Sequence, residues 1–396
     1  MTKIKCFCCL AVLVCFVMTN VASAVDPINV TSKFKVSLYG YVKLDASYDT
    51  HRTSAGDLMF YVLPEVAGEK DDEFNMTAKE TRFGLDIAGP EMGSAKTTGK
   101  IETDFYGPGG SANSPNLRLR LAYADVAWQK GLFGYSFRAG QDWETFITVV
   151  PKILNFSYLA DAGALGLRRP QFRGTLDFGE NDTKMIVKVA AARTIGEDID
   201  GGGQDDGVDS GRPTVQYNVV LQSKLWTSKP AKIGVSGHYG METLDTSVSG
   251  KVTNVDSADY DTWSVIGSLI LPVSEKVALQ GTVWTGENLD TYFGGIGQGI
   301  NKTLETAIAA KGGFGQLVVD LTDALNVNVG YGLDDPDDAD LSKGNRAKNS
   351  MIFASVFYKL NAAATLGFEY SNITTSYAEG DDAKNNRFQG SAIYKF

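Results

Sequence analysis

A closed antiparallel transmembrane β-barrel of about sixteen strands, an all-β fold, is what this 396-residue sequence predicts, and three observations predict it. The first is that both ends of the folded part read as strands. In Arg387 to Phe396, Phe388, Gly390, Ala392, Tyr394 and Phe396 share one face and Gln389, Ser391, Ile393 and Lys395 the other, the period of two that a pleated strand imposes. Phe34 to Tyr48 repeats it, with Phe34, Val36, Leu38, Gly40, Val42, Leu44, Ala46 and Tyr48 opposite Lys35, Ser37, Tyr39, Tyr41, Lys43, Asp45 and Ser47. Left open, these strands would present two sticky edges; pairing the first with the last removes both. The second observation is the lack of any apolar run of about eighteen residues beyond the leader, which argues against spanning helices. The third is composition: 43 Gly, 17 Tyr and 20 Phe against 11 Pro suit alternating membrane strands.

Lys3 and Lys5 precede an apolar run from Cys6 to Met18, and Ala22-Ser23-Ala24 follows as a small-residue cleavage site. Residues 1–24 therefore read as a secretory signal peptide and 25–396 as one barrel domain. Cys6, Cys8, Cys9 and Cys15 all lie in the leader, so the exported part has no disulfide and depends on strand pairing and burial. Net charge is -10, and loss of Lys3 and Lys5 makes it -12, a poor balance for binding phosphates; no nucleic-acid partner is expected.

After the first strand, Asp49 to Met76 reads as a long polar loop. Thr81, Phe83, Leu85 and Ile87 then alternate with Arg82, Gly84 and Asp86 up to a tight turn at Gly89 to Gly93. The next strand carries Lys96, Thr98, Lys100, Glu102 and Asp104 on one face and Gly99, Ile101, Thr103 and Phe105 on the other. A Lys or Arg facing lipid at mid-membrane costs about 2–4 kcal/mol, so the charged face looks into a wet lumen. Leu117, Leu119, Leu121 and Tyr123 read as outward against Arg118, Arg120 and Ala122, with a change of phase that places a bulge near Ala124 and Asp125. Alternating sets continue through Tyr135–Ala139, Phe172–Phe178, Met185–Ala191, Val215–Leu221, Ile233–Tyr239, Val265–Leu271 and Val277–Val283. Further strands fall near Gly315–Leu321, Leu325–Tyr331, Met351–Tyr358 and Ala364–Tyr370, but at Phe314–Val318 and Met351–Tyr358 both faces are apolar and no phase can be chosen. Long Gly- and Asp-rich connections alternate with short turns. A barrel of this size leaves an aqueous channel, where eight strands would be filled by their own side chains.

The connection from Gln141 to Arg169 is the most apolar of the long ones, and a greasy loop is badly placed in bulk water, so it is expected to fold inward and narrow the pore. Arg118, Arg120 and Arg138 precede it and Arg168, Arg169 and Arg173 follow it, which predicts a cationic wall facing Asp142, Glu144 and Asp161. Such charge ladders select solutes in pores. The same arginines could equally serve to pair with lumenal acids and hold the loop, and one arrangement can do both.

The segments Leu38-Tyr39-Gly40-Tyr41-Val42-Lys43-Leu44-Asp45, Gly140-Gln141-Asp142-Trp143, Arg168-Arg169-Pro170-Gln171-Phe172-Arg173, Gly294-Gly295-Ile296-Gly297-Gln298-Gly299 and Ile393-Tyr394-Lys395-Phe396 occur in an order that resembles the DcaP-like family of outer-membrane porins. The resemblance spans the chain beyond the leader. It implies a homotrimer of sixteen-stranded barrels in the Gram-negative outer membrane, in contact with lipid and lipopolysaccharide, passing small hydrophilic and often carboxylate-bearing solutes past a basic constriction. The terminal aromatic Phe396 also has the form of the sorting signal of such barrels.

His51 and His238 are the only histidines, one in a loop and one on an inward strand face with Ser236, and no local acid suggests a hydrolytic triad. The acidic stretches Asp198–Asp209 and Asp334–Asp340 lack the ordered Gly and terminal Glu of a calcium loop. No haem-attachment, zinc or phosphate-loop motif is present, so no cofactor and no catalytic turnover are expected. A passive diffusion channel is the function expected, with a barrel enzyme or an adhesive surface barrel as alternatives.

Overall fold

The computed structural model describes residues 34–67, 71–180, 182–199, 205–248 and 251–396. Residues 1–33, which include the expected signal peptide and the four cysteines, lie outside the described residues. Val36–Phe396 forms one compact unit. Its barrel strands are β1 (Lys35–Asp49), β2 (Glu73–Thr77, resumed at Arg82–Ala88), β3 (Lys96–Ser111), β4 (Ser114–Lys130), β5 (Phe133–Trp143), β6 (Arg168–Glu180), β7 (Thr183–Ala192) and β8 (Thr214–Ser223). The second half is β9 (Ala231–Val248), β10 (Lys251–Pro272), β11 (Val277–Glu287), β12 (Ala309–Asp320), β13 (Leu325–Pro336), β14 (Arg346–Lys359), β15 (Ala364–Tyr377) and β16 (Ala383–Lys395). Neighbours in sequence are neighbours in the sheet, and β1 pairs with β16 from Tyr41↔Lys395 to Asp49↔Arg387, so no edge remains.

The two faces divide as the lumen argument requires. Outward Phe172 and Val283 are 74% and 70% exposed, whereas inward Asp104 and Arg120 are fully buried. The seam is locked from inside: Arg387 Nε and Nη2 donate to the two oxygens of Asp49 at 2.8 and 2.7 Å. Between Thr77 and Arg82 the second strand leaves the ladder in a turn, with Thr81 N donating to Ala78 O at 3.0 Å. That detour delivers Glu80 to Lys43, both buried.

Three details of the sequence reading change. The bulge lies at Arg120, not at Ala124 and Asp125: Glu102 faces Leu121 and Thr103 faces Leu119, so the backbone of Arg120 has no residue opposite it in the ladder with β3. Beyond it the phase flips, so Leu121 is 7% exposed and inward, and Tyr123 lies under the Arg138 guanidinium, 3.9 Å from its ring centre. The loop after β1 holds a short hairpin, Thr53–Ala55 with Leu58–Val62, whose Met59 and Val62 are buried. The inward-folding connection is shorter than expected, because β5 runs to Trp143 and β6 starts at Arg168, leaving 144–167.

The strands with no readable phase also acquire a reason. Phe314, Met351, Phe353 and Ile373 face inward and pack with Val149, Ile153, Leu159 and Ala162 of the 144–167 loop. A second cluster joins Phe146 and Leu165 of the loop to Ile266, Trp284, Leu289 and Tyr292. The inner wall is apolar where the loop seats, because an apolar loop needs an apolar partner to leave water.

Candidate pore constriction

The 144–167 loop is fixed in the lumen chiefly by side chains of the wall. Thr145 N donates to Gln216 Oε1 at 2.7 Å and Ser236 Oγ to Phe146 O at 2.8 Å. Further along, Lys152 N donates to Gln316 Oε1 at 3.0 Å, Leu154 N to Glu369, and Lys43 Nζ to Leu154 O at 3.2 Å. On the return, Asn349 Nδ2 donates to Asp161 O at 2.6 Å and Trp284 Nε1 to Gly163 O at 2.8 Å. Gly163, at φ 120°, is required here, since a Cβ would stand 2.2 Å from Gly313 O on the wall. These contacts satisfy backbone groups that a loop buried without them would leave unpaired.

At its far reach the loop presents Phe156 to the arginines. Arg118 donates to Asp104 through Nε at 2.9 Å and Nη2 at 2.7 Å; Arg120 donates to Glu102 at 2.7 Å and Asp104 at 2.9 Å. Arg82 Nε lies 3.7 Å from the same Glu102. Arg168 stands apart: among the described residues no carboxylate forms an ion pair with it, and its guanidinium lies 4.8 Å from the centre of a Trp143 ring that Arg120 approaches at 5.8 Å. Arg118, Arg168, Trp143, Phe156 and Phe293 are among the residues lining a cavity of about 70 Å³, room for roughly two waters or one carboxylate. Four arginines thus face two carboxylates.

The other candidates fall elsewhere. Arg138 and Arg173 both donate to Asp142 Oδ2, at 2.7 and 2.8 Å, and Arg138 also to Asp125 at 2.9 Å, a separate ladder on β4 to β6. Arg169 is 1% exposed, ion-paired to buried Glu144, and donates to Tyr292 Oη at 3.1 Å and Thr291 O at 3.2 Å. Asp161 sits on the returning arm beside Gly297, with its backbone N donating to Phe293 O at 3.0 Å. Burial, opposed by Arg346 and reinforced by Asp290, pushes its carboxyl up to about 7. His238 is buried, its Nδ1 2.7 Å from Ser264 Oγ and its ring stacked 3.9 Å from that of Tyr292.

The model of the DcaP outer membrane protein family matches residues 14–156. The outer membrane channel DcaP of Acinetobacter baumannii superposes with a TM-score of 0.73 at 21% identity, over 94% of this chain and 100% of that one. Over residues 14–156 the chain resembles the DcaP outer membrane protein family, and its fold is that of an outer-membrane porin. An anion-selective porin from Comamonas acidovorans has the same fold at TM-score 0.59 and 12% identity, over 92% of this chain and all of that one. A trimer form of OmpT from Vibrio cholerae gives 0.53 and 13%, again over 92% and 100%. No curated protein matches the sequence. The chain resides in the outer membrane of the Gram-negative envelope, and its fold is the one that porin channels share.

In this DcaP-like barrel the residues that sequence reading missed are Arg82, Trp143 and Phe156. Arg82 was legible as an inward cation on its strand. Trp143 stood inside a quoted motif without a role. Phe156 carried no signal, since its partners lie on strands distant in sequence.

Proposed function

We propose that the chain is a passive diffusion channel that prefers small anionic or carboxylate-bearing solutes, assembled as a homotrimer after loss of residues 1–24 and surrounded by outer-membrane lipid and lipopolysaccharide. One observation supports the anion preference above others: Arg168 lines the constriction cavity without an ion-paired carboxylate among the described residues, in a group of four arginines whose ion pairs there go to Glu102 and Asp104. A narrow passage between low-dielectric walls focuses such a charge onto passing ions. Trp143 and Phe156 beside it limit the site to weak contacts, and a conducting site must release what it binds. The test is the reversal potential of the refolded protein in a planar bilayer under a salt gradient. Anion preference supports the proposal; cation preference would refute it and assign control to the acidic loops.

A further inference from the structure

Phe156 sits where the charges are. The guanidinium carbons of Arg120, Arg82 and Arg118 lie 5.3, 5.7 and 6.0 Å from its ring centre. Two tyrosines complete its surroundings: Tyr106, ring centres 5.2 Å apart, and Tyr158, at 5.3 Å and nearly edge-on. Tyr106 and Tyr41 repeat the motif on the outer flank, with Arg118 5.4 Å and Arg82 5.2 Å from their ring centres.

The arrangement poses an electrostatic problem. Three like charges from two strands must be held close together, and Glu102 and Asp104 are already shared among them. A further carboxylate on the loop would hold the arginines but cancel the charge that attracts an anion. An aliphatic side chain would keep the charge but give up the ring's attraction for guanidiniums that the two carboxylates already hold from the wall side. An aromatic ring attracts cations through its quadrupole and carries no net charge, so it orders the arginines without neutralising them. The ring is mounted on a loop that is itself pinned two residues earlier, where Lys43 holds Leu154 O and Glu369 holds Leu154 N.

We infer that Phe156 is a positioning residue for ion selectivity: it holds Arg82, Arg118 and Arg120 from the loop side and adds no acid to a group whose three cations already exceed their two carboxylates by one charge. This rests on the anion-preferring reading of the constriction given above.

The test replaces Phe156 in the full chain with Leu, with Tyr, and with trifluorophenylalanine, which keeps the shape and weakens the quadrupole. Two readouts are taken on refolded channels. One is the anion-to-cation permeability ratio from reversal potentials. The other is the rate at which phenylglyoxal modifies each arginine, followed by mass spectrometry, with Arg387 as internal control. Phe156→Leu and the fluorinated ring should each lower the permeability ratio roughly two- to five-fold, the span expected of one cation–ring contact, and speed modification of Arg82, Arg118 and Arg120. Phe156→Tyr should restore both. If the fluorinated channel keeps the wild-type ratio, the role is overturned, whether or not the modification rates change. A wild-type channel without anion preference is a different failure: it removes the reading of the constriction itself, and the positioning role falls with it.

Discussion

Arg168 and Arg169 are consecutive in sequence and opposite in circumstance. Alternation groups Arg169 with the inward Gln171 and Arg173, but it does not foretell that Arg168, at the first position of β6, lines the cavity beside Phe156. Nor could it show that Glu144 and Tyr292, from two different loops, would enclose Arg169, while Arg168 stacks near Trp143 with no ion-paired carboxylate among the described residues. The two therefore predict different phenotypes. Arg168→Gln should move the reversal potential toward cations at little cost to stability, because no carboxylate loses its partner. Arg169→Gln should leave the reversal potential in place but destabilise the fold by about 3–5 kcal/mol, since Glu144 would stay buried without its counter-ion. Paired bilayer recordings and urea titrations separate them, and a selectivity change in Arg169→Gln alone would reverse the assignment. Arg387 offers a cleaner case at the seam. Its bidentate pair with Asp49 is fully buried, so Arg387→Ala should lower the urea midpoint by an amount again worth about 3–5 kcal/mol. An unchanged midpoint would mean that the seam is held by backbone pairing alone.

At the scale of elements, the strands were legible almost throughout and the loop only in outline. Strand alternation needs nothing beyond neighbouring residues. The loop's path needs Gln216, Gln316, Asn349 and Glu369, which are far from it in sequence and look like ordinary lumenal polar residues. Its seat did leave a trace: Phe314, Met351 and Phe353 blurred the alternation because both faces of those strands are covered, one by lipid and one by the loop. The bulge at Arg120 was misplaced because the phase change becomes visible only several residues later, at Val126 and Trp128. The returning arm supplies a pH prediction. Asp161 rises from about 3.9 in an unfolded chain to about 7 when folded, facing Arg346 from β14, Asp290 from the 288–299 turn and Asp334 from β13. Between those values the folded protein holds a proton that the unfolded chain releases. Stability from this carboxyl is therefore complete below about pH 4, declines as pH rises, and levels off above about pH 7. Asp161→Asn should flatten that decline, and Asn tolerates the φ of 58° found there. Thermal unfolding from pH 4 to 8 reads it directly; equal slopes in mutant and wild type would mean that other groups carry the dependence.

For the whole molecule, barrel closure and the proposed selectivity site use separate sets of contacts. The barrel is shut by β1 against β16, while the constriction is assembled from β2, β3, β4, β6 and the loop of the same chain. Arg82, Arg118 and Arg120 find their carboxylates, and Arg168 its aromatic neighbour, within one chain. If the protein is a homotrimer, as the DcaP resemblance implies, association should therefore set stability and step size but not ion preference. In mild detergent the native form should migrate as a heat-labile band well above the monomer, and in a bilayer it should insert as three equal conductance steps. Partial dissociation by heat or chaotrope should leave single steps of one third the size with the same reversal potential. A monomer band without heating would refute the trimer. A reversal potential that moves on dissociation would show that a neighbouring subunit shapes the field at Arg168, and the constriction could then no longer be understood from one chain alone.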